Sequence, residues 1–292
     1  MEEICEFSSQ NLTVNNRLHL VKHAKPMLVE AFVKQYKRYE QRLVISVAQQ
    51  LLNKKTAFER ADMAPLLHTY MIVNGKRPVF EYVIVDEAQD YTPYEIWLLN
   101  QLCKDQNIML VGDMGQAIQP YYQPDSWEAY CPSLNQFNLY SLTHTYRSTK
   151  QIVDEANKII LPISKGKFEV LMFNPRLGSD VRKEVVQFEL LESRIAYWVE
   201  QYMKNGYHSF AFVTLDPIVD IELNIPVIPI EKYSSVNGTK FVVGGPLELK
   251  GLEFDVVFVD ELSPFPASDY GKKLKYVAYT RALHQLHVLT SH

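Results

Sequence analysis

The stretch Val79-Phe-Glu-Tyr-Val-Ile-Val-Asp-Glu-Ala-Gln-Asp90 constrains this chain more than any other. An apolar, β-branched run that breaks off into adjacent carboxylates predicts a buried strand of a parallel sheet, delivering Asp86 and Glu87 to the sheet's carboxyl edge. Ligands of α/β sheets bind at that edge. Asp86 could hold Mg²⁺ there, directly or through water, and Glu87 could orient a water for attack on a γ-phosphate. The plainer alternative is a solvated turn after a strand.

The residues after Asp90 fit an α/β alternation. Thr92-Pro-Tyr-Glu95 supplies an N-cap, a proline at the first helical position and a glutamate at the third, and Ile96, Leu99 and Leu102 make one apolar face. Ile108-Met-Leu-Val-Gly-Asp113-Met-Gly-Gln116 is a second short strand ending in Gly and Asp. Strand, helix and strand in this order predict a right-handed parallel unit with Asp86 and Gln116 on one edge. Tyr121, Tyr122, Trp127 and Tyr130 then cluster between prolines; they either stack bases of a single strand or pack a loop. Phe137 to Leu142 reads as a strand, and Ser148 and Gln151 as a capping box for a helix bearing Ile152, Val153, Ala156 and Ile159. Arg147 would then stand at a helix N-terminus, facing an anion or simply solvent.

Residues 162–245 carry strand-like runs at Phe168–Phe173, Phe210–Thr214 and Val227–Ile230, with a helix from about 189 to 204 ending at Gly206. Chemistry returns at Leu249-Lys-Gly-Leu-Glu-Phe-Asp255, which runs into the strand Val256–Asp260. Gly251 allows close backbone approach, and Glu253 could accept a hydrogen bond from a ribose hydroxyl or a backbone amide. Lys275-Tyr-Val-Ala-Tyr-Thr-Arg281 places an arginine on a helix ahead of a last strand, Gln285–Thr290. His284 and His287 fall on opposite faces of that strand, which reads as structural. Upstream, apolar positions from Leu28 to Leu51 recur at helical spacing, Thr56-Ala-Phe-Glu59 has capping-box form, and Asp62–Leu67 looks like a further helix start.

Composition narrows the class. With 292 residues, 47% hydrophobic and 22% charged, the chain is long enough for two domains with real cores. No apolar run is long enough for a membrane span, and the opening residues lack the pattern of a signal peptide, so a cytoplasmic location is expected. Cys5, Cys103 and Cys131 are few and widely spaced, as for reduced thiols. The net charge of −4 argues against bulk electrostatic binding of nucleic acid, although residues 1–77 carry 12 Lys+Arg against 7 Asp+Glu.

Five short motifs together carry a resemblance. Asp86-Glu-Ala-Gln-Asp90, Gly112-Asp-Met-Gly-Gln116, Tyr146-Arg-Ser148, Lys250-Gly-Leu-Glu-Phe-Asp255 and Tyr276-Val-Ala-Tyr-Thr-Arg-Ala282 resemble successive motifs of the UvrD/Rep-like superfamily 1 DNA helicases, in family order. The segment Ala61–Leu67, and the absence of a large insertion between Tyr146 and Lys250, look closest to the HelD-like branch, which associates with RNA polymerase. The resemblance implies α/β, RecA-like lobes with ATP between them: a helical segment over 1–77, a partial first lobe over 78–144 and a second over 145–292. By position it implies Asp86 as Mg²⁺ ligand, Glu87 as catalytic base and Gln116 as γ-phosphate sensor. Arg147 and Arg281 match the arginines that clamp the γ-phosphate, Glu253 the ribose contact, and Tyr121, Tyr122 and Trp127 a region touching single-stranded DNA.

One departure is large. No Gly-x-x-x-x-Gly-Lys-Ser/Thr occurs in the 292 residues, so the Walker A loop, whose backbone amides and lysine hold the β- and γ-phosphates, is missing. The expectation is a C-terminal portion of a longer ATP-dependent helicase or translocase, inactive as an ATPase without the missing helicase segment. The alternative is a non-catalytic module that binds RNA polymerase or DNA.

Overall fold

The computed structural model describes residues 60–75, 78–122, 124–134, 137–168, 170, 175–216, 221–235 and 237–291, with Arg42 and Ser46. The helical reading of 26–53, the cap at Thr56–Glu59 and most of the strand expected over 168–173 lie outside these residues. The chain forms two compact units, one of residues 1–81 and 101–105, the other of 82–100 and 106–292.

In the first unit, helix α1 (Arg60–Asn74) carries Pro65 within it, and Phe80 bridges Cys103 in parallel fashion. The second unit opens with β1 (Val83–Val85), α2 (Pro93–Leu102, its last two residues in the first unit) and β2 (Ile108–Leu110). The two strands pair in parallel, Val83 opposite Ile108 and Val85 opposite Leu110. The cap of α2 is built as expected: the Thr92 amide donates to Glu95 Oε2 at 2.7 Å and the Glu95 amide to Thr92 Oγ1 at 3.2 Å.

The expectation of a buried strand is corrected here. Only three residues pair, and alternate side chains meet opposite fates: Val85 packs with Ala88, Ile96, Met114 and Tyr130, whereas Ile84 is 70% and Met109 58% exposed. A two-stranded sheet packed on one face leaves every second residue in water, whatever its hydrophobicity.

The remaining elements are α3 (Lys150–Ser164), β3 (Arg182–Val185), α4 (Leu191–Lys204), β4 (Ser209–Val213), β5 (Lys240–Gly244), β6 (Phe254–Glu261), α5 (Asp269–Thr280) and β7 (Ala282–Thr290). The strands form one wholly parallel sheet in the order β3-β7-β6-β4-β5. Period-two alternation along β4 and β6 feeds two cores. Ala211, Val213, Val257 and Val259 pack with Ile152, Ile160 and Tyr276 of α3 and α5. Phe210, Phe212, Val256 and Phe258 pack with Leu191, Ile195 and Val199 of α4 on the other face. A sheet covered on both faces explains why the central strands read as unbroken apolar runs. The α/β class with parallel sheets is therefore as expected.

Local expectations fail where distant groups compete. Phe137–Leu142 carries no strand, and Tyr140 and Leu142 are 82% and 90% exposed. Val227 makes only a single bridge to Phe241 instead of opening a strand. The capping box at Ser148 and Gln151 does not form: Ser148 Oγ donates to the Ala282 carbonyl at 2.7 Å, and Gln151 Oε1 accepts from the Gly178 amide at 2.9 Å. Thr149 becomes the cap residue of α3, without a side-chain capping bond. Among the described residues no helix is long and apolar enough to cross a membrane.

His287, buried on β7, accounts for an acid sensitivity. Burial pushes its imidazole down to about 4 from the ordinary 6.5, against the pull of Glu184, whose Oε2 lies 3.1 Å from Nε2. Arg182 and Arg194 add to the lowering, and the ring contacts Trp198 and Phe258. A depressed folded-state value means the unfolded chain takes up the proton first as pH falls. The stabilisation is complete above about pH 6.5 and is lost between there and about pH 4. Urea midpoints at pH 7.5 and 5 should differ by about 1–2 kcal/mol in stability, and H287Q should flatten that difference. An equal slope in wild type and variant would show that His287 is not the group responsible.

Candidate phosphate-binding site

The residues beyond β1 and β2 build one crevice. Asp86 follows β1 directly, and its Oδ1 accepts the Glu87 amide at 2.8 Å. Glu87 adopts φ 50° and ψ 41°, a left-handed conformation uncommon outside glycine and costly for a glutamate. Its Oε2 accepts from Gln89 Nε2 at 2.5 Å, while Gln89 Oε1 accepts the Asp113 amide at 3.1 Å. Gln89 is fully buried and thus ties the turn after β1 to the turn after β2. A Cβ at Gly112 would come within 2.0 Å of Gln89 Oε1, so any other residue there would displace the Gln89 amide from this tie.

Asp113 caps the next turn, accepting from the Gly115 amide at 2.8 Å and from Gln116 Nε2 at 2.9 Å. Burial raises its carboxyl above the usual range, opposed by those two hydrogen bonds. Held in this way, Gln116 accepts through Oε1 from Arg281 Nη2 at 2.8 Å. Arg281 is 1% exposed where α5 ends, donating also from Nε to the Val277 carbonyl and from Nη1 to the Leu252 carbonyl at 3.2 and 3.1 Å. Burial pushes the guanidinium down to about 10, with Arg147 lowering it further and Glu87 and Glu253 drawing it up; it stays charged at neutral pH.

The crevice is lined by Asp86, Glu87, Val111, Gly112, Asp113, Gln116, Arg147, Gly251 and Arg281, all in the second unit. Its volume of about 190 Å³ is below the ~300–1,000 Å³ of sites that enclose a small molecule. It has room for a phosphoryl group and its cation. Among the described residues no group of three or more histidine, cysteine, aspartate or glutamate side chains is placed to hold a metal ion. A hard divalent cation such as Mg²⁺ would therefore rest on Asp86, which is exposed and keeps a second carboxylate oxygen, together with phosphate oxygens.

Of the residues singled out from sequence, Asp86, Glu87, Gln116, Arg147, Gly251 and Arg281 meet in this crevice. Glu253 stands beside it, paired with Arg147. The aromatic residues lie apart from the lining. Tyr121 is 55% exposed, whereas Tyr122 and Trp127 are half-buried on the cluster around Val85 and Tyr130. Tyr130 is core, its hydroxyl 2.9 Å from the Ala88 and Tyr91 carbonyls.

Sequence reasoning assigned no role to Lys250 or Asp90. The Lys250 side chain is 7% exposed, and its Nζ donates to Asp90 Oδ1 at 2.6 Å and to the Gln116 carbonyl at 2.9 Å, 3.6 Å from Glu87 Oε2. Little in the sequence signals it, because Lys250 stands between Glu248 and Glu253 and reads as one of a run of solvated charges.

Residues 2–123 match the family described as the UvrD/REP helicase N-terminal domain. Arg147, Gly251, Glu253 and Arg281 lie beyond that match. Over 147 residues the chain is 31% identical to a probable DNA helicase II homolog of Mycoplasma capricolum subsp. capricolum, covering 47% of this chain and 20% of that protein. The chain thus matches about a fifth of that relative's length. Among solved structures, similarity extends to the C-terminal domain of a possible DNA helicase from Lactobacillus plantarum WCFS1, 19% identical, with a TM-score of 0.35. That alignment covers 50% of this chain and 88% of the other. Arterivirus nonstructural protein 10, a helicase solved in complex with DNA, is 14% identical over 85% of this chain and 57% of its own, with a TM-score of 0.36. Both sequence similarities are to helicases.

Proposed function

We propose that this chain is part of a UvrD-like, ATP-dependent DNA helicase or translocase, and that its crevice receives the terminal phosphate of ATP. The observation that carries the reading is the convergence of Asp86, Gln116, Arg147 and Arg281 on one small crevice from positions spread over nearly 200 residues. Phosphoryl transfer needs positioning and charge neutralisation more than covalent chemistry, and these side chains offer both. Asp86 would hold Mg²⁺, which when bound supplies neutralisation of the phosphate oxygens. Glu87, beside it, orients a water and accepts its proton, while Gln116, fixed between Asp113 and Arg281, registers the phosphate. Arg147 and Arg281 neutralise charge that develops on the transferred group.

On this reading, residues 78–144 and 145–292 are the two lobes that flank the nucleotide. A Walker A loop from a further helicase segment would hold the remaining phosphates. Single-stranded DNA is the proposed track, with Tyr121 the most exposed of the three candidate stacking residues. A purely binding module of the HelD-like kind, docking on RNA polymerase, would have no need of the converging carboxylates and guanidinium groups.

The test joins this chain to a segment carrying Gly-x-x-x-x-Gly-Lys-Thr and measures ATP hydrolysis with and without single-stranded DNA. Turnover that rises with DNA is expected. Absence of hydrolysis in the presence of both would sink the motor reading.

A further inference from the structure

We propose that Glu253 is an internal counter-ion that occupies Arg147 in place of a phosphate, and so gates the entry of polyanions into the crevice. The inference rests on the phosphate reading above and changes the role of Glu253 within it. The sequence suggests a ribose contact; the structure pairs Glu253 Oε1 with Arg147 Nη2.

Three observations carry the proposal. The first is that the pair is weak enough to exchange. Both side chains are 40% exposed, and an ion pair so open to water contributes little to stability. A multiply charged anion can therefore displace the carboxylate.

The second is that the main chain beneath Glu253 is anchored while the side chain is held by that pair. The Glu253 carbonyl accepts from the Tyr233 hydroxyl at 2.7 Å. On either side, the Leu252 carbonyl accepts from Arg281 Nη1 at 3.1 Å and the Phe254 amide donates to the Arg281 carbonyl at 3.0 Å. The carboxylate can leave Arg147 by side-chain rotation alone, with the backbone still fixed to Arg281.

The third is the charge balance. Asp86, Glu87 and Asp113 line the crevice against Arg147 and Arg281, Lys250 beside Glu87 is balanced by Asp90, and the Glu253 charge is felt at Arg281 as well as at Arg147. A bare polyanion entering this site meets an excess of carboxylates. It binds well only when a divalent cation accompanies it and Glu253 releases Arg147.

The test uses the chain joined to the segment carrying Gly-x-x-x-x-Gly-Lys-Thr, at low ionic strength, and inorganic tripolyphosphate, which has no ribose, alongside ATP, both with Mg²⁺ and measured by titration calorimetry. E253Q should bind tripolyphosphate about 2–10-fold more tightly than wild type, E253A should shift in the same direction, and added salt should shrink the gain. In an R147Q background the effect of E253Q should vanish, which a general change in surface charge would not produce. Tripolyphosphate binding to wild type that E253Q leaves equal or weakens would overturn the gate alone. Weakening of ATP binding with tripolyphosphate unaffected would return Glu253 to the ribose. Failure of tripolyphosphate to bind wild type and every variant would overturn the phosphate reading itself, and the gate with it.

Discussion

Replacing Arg281 with alanine is expected to destabilise the folded chain by about 3–5 kcal/mol, seen as a lower urea midpoint. The guanidinium is 1% exposed and donates to Gln116 Oε1 and to the carbonyls of Leu252 and Val277. Truncation leaves Gln116 Oε1 and the Leu252 carbonyl, both on half-buried residues at the crevice, without that donor, while the Val277 carbonyl keeps Thr280 Oγ1 at 3.1 Å. R281K should recover only part of the loss, because an ammonium lacks the planar fork that reaches three acceptors at once. The consequence for function is direct. Loss of hydrolysis in R281A cannot be credited to neutralisation of a phosphate until folding is shown intact. An R281A protein with an unchanged urea midpoint would mean that Arg281 is a pendant functional side chain and that its hydrogen bonds are dispensable.

Glu87→Gln is the complementary case. In the chain joined to a phosphate-loop segment, turnover should fall by about 10²–10⁴ with nucleotide affinity retained, because the substitution removes a proton acceptor and keeps the shape. Little loss of stability is expected. Glu87 is half-exposed, its Oε2 accepts a bond that a glutamine oxygen can still accept, and its left-handed backbone is unaltered. The unjoined chain should show no appreciable hydrolysis. Measurable turnover by that chain which Glu87→Gln abolishes would show that the phosphates are held without a Walker A loop.

The two substitutions differ in what the sequence revealed about each position. Glu87 is placed by its neighbours: strand residues before it and a tight turn after it bring it to the sheet edge, and that was legible in Val83–Asp90. Arg281 was legible as a residue at the end of a helix before a strand, and α5 and β7 meet there as expected. Its near-complete burial was not legible. That depends on Gln116, Leu252 and the α5 carbonyls arriving around it from far apart in the chain. The same distinction separates the two capping boxes. Thr92 and Glu95 close on each other across one turn, whereas Ser148 is taken by a carbonyl 134 residues away.

From the sequence by itself came the α/β alternation, the parallel pairing of β1 with β2, and the identities of six residues that meet in the crevice. These arise from interactions within a turn or from the two-residue period of a strand, which backbone geometry imposes wherever the segment lies. Only the tertiary structure decided that Lys250 reaches Asp90 across 160 residues, that Glu253 meets Arg147, and that Ile84 and Met109 stand in water while Arg281 does not. Charge partners and burial depend on which elements pack together. Two carboxylates with equal local context then receive different roles from whatever cation the fold brings alongside.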